Sequence, residues 1–137
     1  MAREAILRDT KILTSRRYTC ATSTGIAKGT YLKVADPFTA SAATATGDAF
    51  IGFAHADVNE STDSAFNTET SITADKGGIY ELVASGSITV GNNVKVAAPG
   101  NYVMAATSTD LTTLGQIVGR ALETASDGET INVEVFA

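Results

Sequence analysis

Gly29-Thr-Tyr-Leu-Lys-Val-Ala-Asp-Pro37 and Gly91-Asn-Asn-Val-Lys-Val-Ala-Ala-Pro99 are two versions of one phrase: Gly, Lys, Val, Ala and Pro coincide, and Leu32 faces Val94. The likeness continues in the same order. Phe50-Ile-Gly-Phe-Ala54 lies over Gln116-Ile-Val-Gly-Arg-Ala121 once a gap is allowed, and Glu69-Thr-Ser-Ile72 resembles Glu129-Thr-Ile131, the copies standing roughly sixty residues apart. The repeated residues are apolar ones, glycine and proline, which build strands and turns rather than a catalytic centre. The pattern predicts a duplicated chain of two similar β-modules.

Asp36-Pro37 ends the strand at Tyr31–Val34, because proline lacks an N–H and pushes its predecessor out of the helical region. In the second copy, Ala98-Pro-Gly-Asn101 is a turn between Val94–Ala97 and Tyr102–Ala105. Ala49–Val58 is the strongest strand of the first half. Phe50 and Phe53 cannot both face inward on a regular strand, so Gly52 between them predicts a bulge. Thr70–Ala74 and Ile79–Val83 read as a hairpin turned by Gly77-Gly78. Asp127-Gly128 is a tight turn into Thr130–Val135, where Ile131, Val133 and Val135 share one face. One short helical turn is expected between Thr107 and Leu114, capped by Ser108 or Thr109. Sustained helical periodicity is lacking, and turn signals recur as in sandwiches and barrels. The expected class is all-β, a small barrel-like domain of two similar modules (25–84 and 85–137) sharing one core, preceded by an extended N-terminal arm over 1–24.

Composition sets the scale of the core. The 137 residues contain 7% aromatics and no Trp, so the interior is expected to be rich in Ala and Val. Burial per residue is then modest, and oligomerisation is an expected further source of stability. Cys20 is the lone cysteine, which excludes an intrachain disulfide and a multi-cysteine metal site; it reads as a small buried hydrophobe. No apolar run reaches the length of a membrane span or of a signal-peptide core, so synthesis and assembly in a cytoplasm are expected.

Charge is unevenly placed. In the first seventeen positions Arg3, Arg8, Lys11, Arg16 and Arg17 stand against Glu4 and Asp9, a net +3, while the remaining five basic and thirteen acidic residues give −8. A cationic leader on an acidic body steers binding towards an acidic partner; the alternative reading is an ordinary first strand with solvated charges, with an edge strand near Arg17–Cys20. Nucleic acid fits poorly, because the body repels phosphate and Tyr18 alone is available in the leader to stack a base. The candidate partner-binding residues are Arg3, Ile6, Leu7, Arg8, Lys11, Ile12, Leu13, Arg16 and Arg17.

Signals of chemistry are weak. His55 is the one histidine, inside an expected strand between Ala54 and Ala56, and nothing around Cys20 marks an activated nucleophile. Asp57, Glu60, Asp63 and Glu69 gather around one loop, but EF-hand spacing and its glycine are absent. Gly25-Ile-Ala-Lys-Gly29 and Lys76-Gly-Gly78 lack phosphate-loop spacing. No enzyme activity, cofactor or metal is expected. A carbohydrate-binding or adhesion module is the alternative, with Tyr31, Tyr80 and Tyr102 as the available sugar platforms.

Two phrases carry a family resemblance: Ser87-Ile-Thr-Val-Gly-Asn-Asn-Val-Lys-Val96, and Gly115-Gln-Ile-Val-Gly-Arg-Ala-Leu-Glu-Thr-Ala-Ser-Asp-Gly-Glu-Thr-Ile-Asn-Val-Glu-Val135. With the acidic Gly/Ala/Thr/Val-rich composition they make most of residues 25–137 similar to the decoration, or cement, proteins of tailed-bacteriophage heads. The arm matches poorly, and the duplication departs from the shortest members. The resemblance implies a small β-barrel or β-tulip subunit, usually a homotrimer. It implies a place on the outer surface of the virion, clamping neighbouring major capsid proteins without catalysis. The role of lying on the capsid would fall to residues 2–17, whose deletion is expected to abolish binding and leave the fold intact.

Overall fold

The computed structural model describes residues 5–9, 14–20, 25–97, 101–107 and 114–136. Their architecture is all-β, as expected. Eleven strands run in chain order: β1 (Ile6–Asp9), β2 (Thr14–Cys20), β3 (Tyr31–Asp36), β4 (Thr39–Ala42), β5 (Phe50–Ala54), β6 (Ser71–Lys76), β7 (Ile79–Ala84), β8 (Asn93–Ala97), β9 (Tyr102–Ala105), β10 (Ile117–Ala121) and β11 (Thr130–Val135). Two 3-10 turns, Ser64–Phe66 and Leu114–Gln116, are the helical elements among the described residues. The expected capped turn falls largely on 108–113, outside them.

The duplication is complete at the level of strand pairing. Strands β2-β4-β3-β5-β6 form a closed ring. In it β2 is parallel to β4, and every other neighbour is antiparallel. Strands β7-β9-β8-β10-β11 repeat the rule, with β7 parallel to β9 closing the ring and the other pairs antiparallel. Details between the strands repeat too. The isolated bridge Ile26–Val58 returns as Ile88–Ala125. Gly29 N–H donates to Ala54 O and Gly91 N–H to Ala121 O, each at 2.9 Å. The turn leading into β4 has Phe38 at φ 51°, and the one into β9 has Asn101 at φ 60°.

The paired glycines of the bulged strands have a physical cause. Gly52 is opposite Leu32, and Gly119 is opposite Val94, each beside a register shift. A Cβ on Gly52 would lie 2.8 Å from the Asp75 carbonyl oxygen, and one on Gly119 would overlap the carbonyl oxygen of Glu134. Asp75 and Glu134 are themselves equivalent positions of β6 and β11. Both rings thus press one strand's backbone against the next at a spot only glycine fits. With the bulge at Gly52 (φ 142°), Phe50 and Phe53 are both buried, on the outer face of ring one rather than inside it.

Ring one is filled by Ile26, Leu32, Ala40, Ala54, Val58, Ile72 and Ala74, with Tyr18 and Cys20 packed against them. At the equivalent places ring two has Ile88, Val94, Val103, Ala121, Ala125, Ile131 and Val133. The outer faces of β3 and β5 carry Tyr31, Phe50 and Phe53 into the core of ring two, which is how the barrels are joined. Phe53 lies 4.9 Å from the Tyr31 ring, 5.0 Å from Phe50 and 4.4 Å from Tyr80, centroid to centroid. The Tyr31 and Tyr80 hydroxyls are buried there with no hydrogen-bond partner among the described residues. Burial holds both phenols well above the ordinary tyrosine range, and the charge of Asp75 adds to the effect on Tyr80.

Two expectations need correction. Gly77 and Gly78 do adopt positive φ (89° and 81°), but β6 and β7 do not pair. The glycines carry the chain from one ring to the other, so the modules change there and not after residue 84. The segment expected as an extended arm is likewise built in, as in the alternative reading of an ordinary strand with solvated charges. β1 pairs antiparallel with β7, and β2 is a stave of ring one bonded along Thr14–Thr19 to β6. Backbone hydrogen bonding explains this: each strand gives its main-chain groups partners that a free arm would leave to water. Deleting 2–17 would therefore remove β1 and half of a barrel stave.

A strap between the rings gives a test. Gly47 N–H donates to Val96 O at 3.0 Å, and Asp48 Oδ2 accepts from the N–H groups of Thr44 and Ala45, each at 2.8 Å. Burial raises the Asp48 carboxyl, but those two N–H groups and Lys33 more than reverse this and hold it below its ordinary value. A carboxyl depressed on folding contributes stability above its unfolded pKa of about 4 and loses it as pH falls through the folded value. Asp48→Asn is expected to cost about 1 kcal/mol or less at pH 7. In urea unfolding, the gap to wild type should close on acidification below about pH 4; a gap that stays constant to low pH would contradict this account.

Candidate partner-binding surface

The predicted binding residues fall in two places. Ile6, Leu7 and Arg8 belong to β1, in register Ile6–Glu81 and Leu7–Tyr80 against ring two. Ala5 is buried, and its N–H reaches Gly29 O at 3.1 Å, tying the start of β1 to ring one. Ile6 remains 45% exposed. Arg16 and Arg17 are exposed on β2 of ring one. Arg3, Lys11, Ile12 and Leu13 lie outside the described residues.

The edge geometry around these residues follows from the pairing. β7 bonds β11 on one edge; on the other, its second half meets β9 at Val83–Ala84 and its first half meets β1 at Ile79–Glu81. β2 has β6 on one edge and meets β4 only at Thr19–Cys20. The stretch Ser15–Arg17 on that second edge has no strand beside it among the described residues. Phe38 stands at the end of this stretch: its carbonyl accepts from Thr19 N–H at 2.8 Å, and its ring is 73% exposed. Sequence reasoning missed Phe38 as a surface residue. A phenylalanine after Asp36-Pro37 looks like the start of an apolar strand, and only the left-handed backbone turns it outward.

The titratable groups have defined places. His55 follows β5 in a bend rather than lying within the strand, and its side chain is 60% exposed. Its Nδ1 lies 2.6 Å from Asp75 Oδ2, while Ser15 Oγ donates to Asp75 Oδ1 at 2.6 Å. The carboxylate stands between the two. In a charge-relay triad the histidine stands between serine and carboxylate, so this order does not activate the serine. Two carboxylates of the acidic loop accept from backbone N–H groups. Asp57 Oδ1 accepts from Lys28 N–H at 2.7 Å, and Asp63 Oδ1 from Ala65 N–H at 3.0 Å. No cluster of three or more metal-ligating side chains occurs among the described residues. Of the tyrosines weighed as sugar platforms, Tyr31 and Tyr80 are buried and Tyr102 is half-buried. No helix among the described residues is long and apolar enough to cross a membrane.

What these observations define is a tandem-barrel β-protein with one barrel edge covered by its own first strand. No protein-family model matches the chain, and no curated protein matches it significantly in sequence. Among solved structures, its fold is similar to that of the head fiber gp8.5 N base of bacteriophage phi29. The TM-score is 0.53 at 15% identity, over 91% of this chain and 95% of that one.

Proposed function

We propose that this protein is a non-catalytic structural component of a bacteriophage virion that binds the outer surface of the head and stabilises it by clamping neighbouring major capsid proteins. The observation that carries the reading is the similarity of fold to a phage head fiber base across nearly the whole of both chains. The resemblance of residues 25–137 to head decoration proteins supports it independently, through sequence pattern rather than fold. A homotrimer suits this role, because three copies of a weak contact act together and multiply affinity. Neither cofactor nor nucleic acid has a part in it.

The test is co-sedimentation of the purified chain with expanded, emptied heads of the phage whose genome carries its gene, with light scattering for its mass. Saturable binding to heads and a threefold monomer mass are expected. A chain that stays in the supernatant at all concentrations would refute the reading.

A further inference from the structure

The two rings follow one pairing rule, yet among the described residues one has a sixth strand and the other does not. Thr19–Thr39 and Cys20–Ala40 in ring one correspond to Val83–Tyr102 and Ala84–Val103 in ring two. Counting back, Arg17 corresponds to Glu81 and Ser15 to Ile79. Glu81 and Ile79 are the residues that β1 covers. The matching edge at Ser15–Arg17 is uncovered among the described residues.

The main-chain groups on that edge point outward. Cys20 N–H donates to Thr70 O on the β6 side, and Thr19 N–H to Phe38 O on the β4 side. Strand groups alternate, so Arg17 and Ser15 present their N–H and C=O to the open side, as Glu81 does towards β1. An open strand edge is a template for another strand. Charge then selects the guest. At the point of the edge where ring two has Glu81, ring one has Arg17 beside Arg16, both exposed. The open edge is therefore cationic, and the guest that complements it is acidic. The exposed Phe38 ring at the end of the slot supplies an apolar contact.

We propose that ring one accepts a sixth strand from outside the chain: an extended acidic segment of a partner protein, laid antiparallel along Ser15–Arg17 as β1 lies along β7. Under the function proposed above, on which this rests, the segment belongs to the capsid protein. The decorating chain is then a strand acceptor, and its own first strand serves to fill the equivalent slot in ring two. A second copy of this chain fits less well, since pairing two Ser15–Arg17 edges would set arginines against arginines.

The experiment is head co-sedimentation with three variants of the full chain. Arg17→Pro removes the N–H that the guest needs, at an edge position where proline is tolerated. Arg16→Glu/Arg17→Glu keeps the backbone and reverses the charge. Arg120→Glu, an exposed change on ring two, controls for a single charge reversal away from the slot. Circular dichroism verifies that each variant is folded. The first two should lose head binding by about tenfold or more, equivalent to about 1.4 kcal/mol, while Arg120→Glu binds like wild type. If wild type binds and the Ser15–Arg17 variants bind equally well, or if Arg120→Glu loses as much as they do, the slot is refuted and the capsid reading stands. If wild type itself does not bind, both fall.

Discussion

Gly119→Ala is expected to cost about 4 kcal/mol or more, close to the whole stability of a small domain. The added Cβ would overlap the carbonyl oxygen of Glu134 and lie 2.9 Å from the Cα of Val135. Those are backbone atoms of a paired strand, so no side-chain rotation relieves the contact; β10 and β11 must separate. Gly91→Ala makes the useful comparison. Gly91 has φ 89°, but nothing lies within 4 Å of where an added methyl would stand, so alanine there bears only left-handed strain of about 1–2 kcal/mol. Urea unfolding of the two variants separates contact from strain. Equal and small losses would mean that the strands are not pressed together at Gly119.

Phe53→Ala is expected to destabilise by about 3–5 kcal/mol, through lost burial and the cavity left at the seam between the rings. Phe53 is 1% exposed and packs on Tyr31, Phe50 and Tyr80. The duplication provides an internal control. Arg120 occupies the equivalent position of ring two, one residue after Gly119 and opposite Glu134 as Phe53 is opposite Asp75. There it faces solvent, with its guanidinium 6.0 Å from the Phe136 ring centroid. Arg120→Ala should change stability by about 0.5 kcal/mol or less. Thermal unfolding of both variants checks the pair. A loss at Phe53 no larger than that at Arg120 would mean the rings do not depend on the aromatic seam.

This asymmetry shows what the sequence could reveal. The repeat was readable because the two rings share backbone demands: Gly29 and Gly91 at positive φ, and Gly52 and Gly119 beneath a carbonyl. Such demands fix residue identity in both copies. Alternation in Thr130–Val135 was readable because one face is buried and the other is wet. The staves of ring one were harder. From Ser15 to Cys20 the strand offers the core Tyr18 and Cys20, both half-buried, and shows arginines outside, so a full barrel strand reads as a charged tether. Gly77-Gly78 misled for a related reason. Positive φ marks a sharp change of direction, but local sequence does not say whether the next strand pairs with the last or joins another sheet. The open slot could not be seen at all, because it exists only in the comparison of one ring's pairing with the other's.

The protein is built as two copies of one ring, with one edge sealed by strand β1 and the equivalent edge uncovered among the described residues. Amide hydrogen exchange of the free protein, followed residue by residue by NMR, tests it most directly. The Arg16 and Tyr18 amides face β6 and should exchange slowly, as should Glu81 beneath β1, whereas Arg17 should exchange at least about a hundredfold faster than Glu81. Protection of Arg17 equal to that of Glu81, or exchange of Glu81 as fast as that of Arg17, would contradict the account.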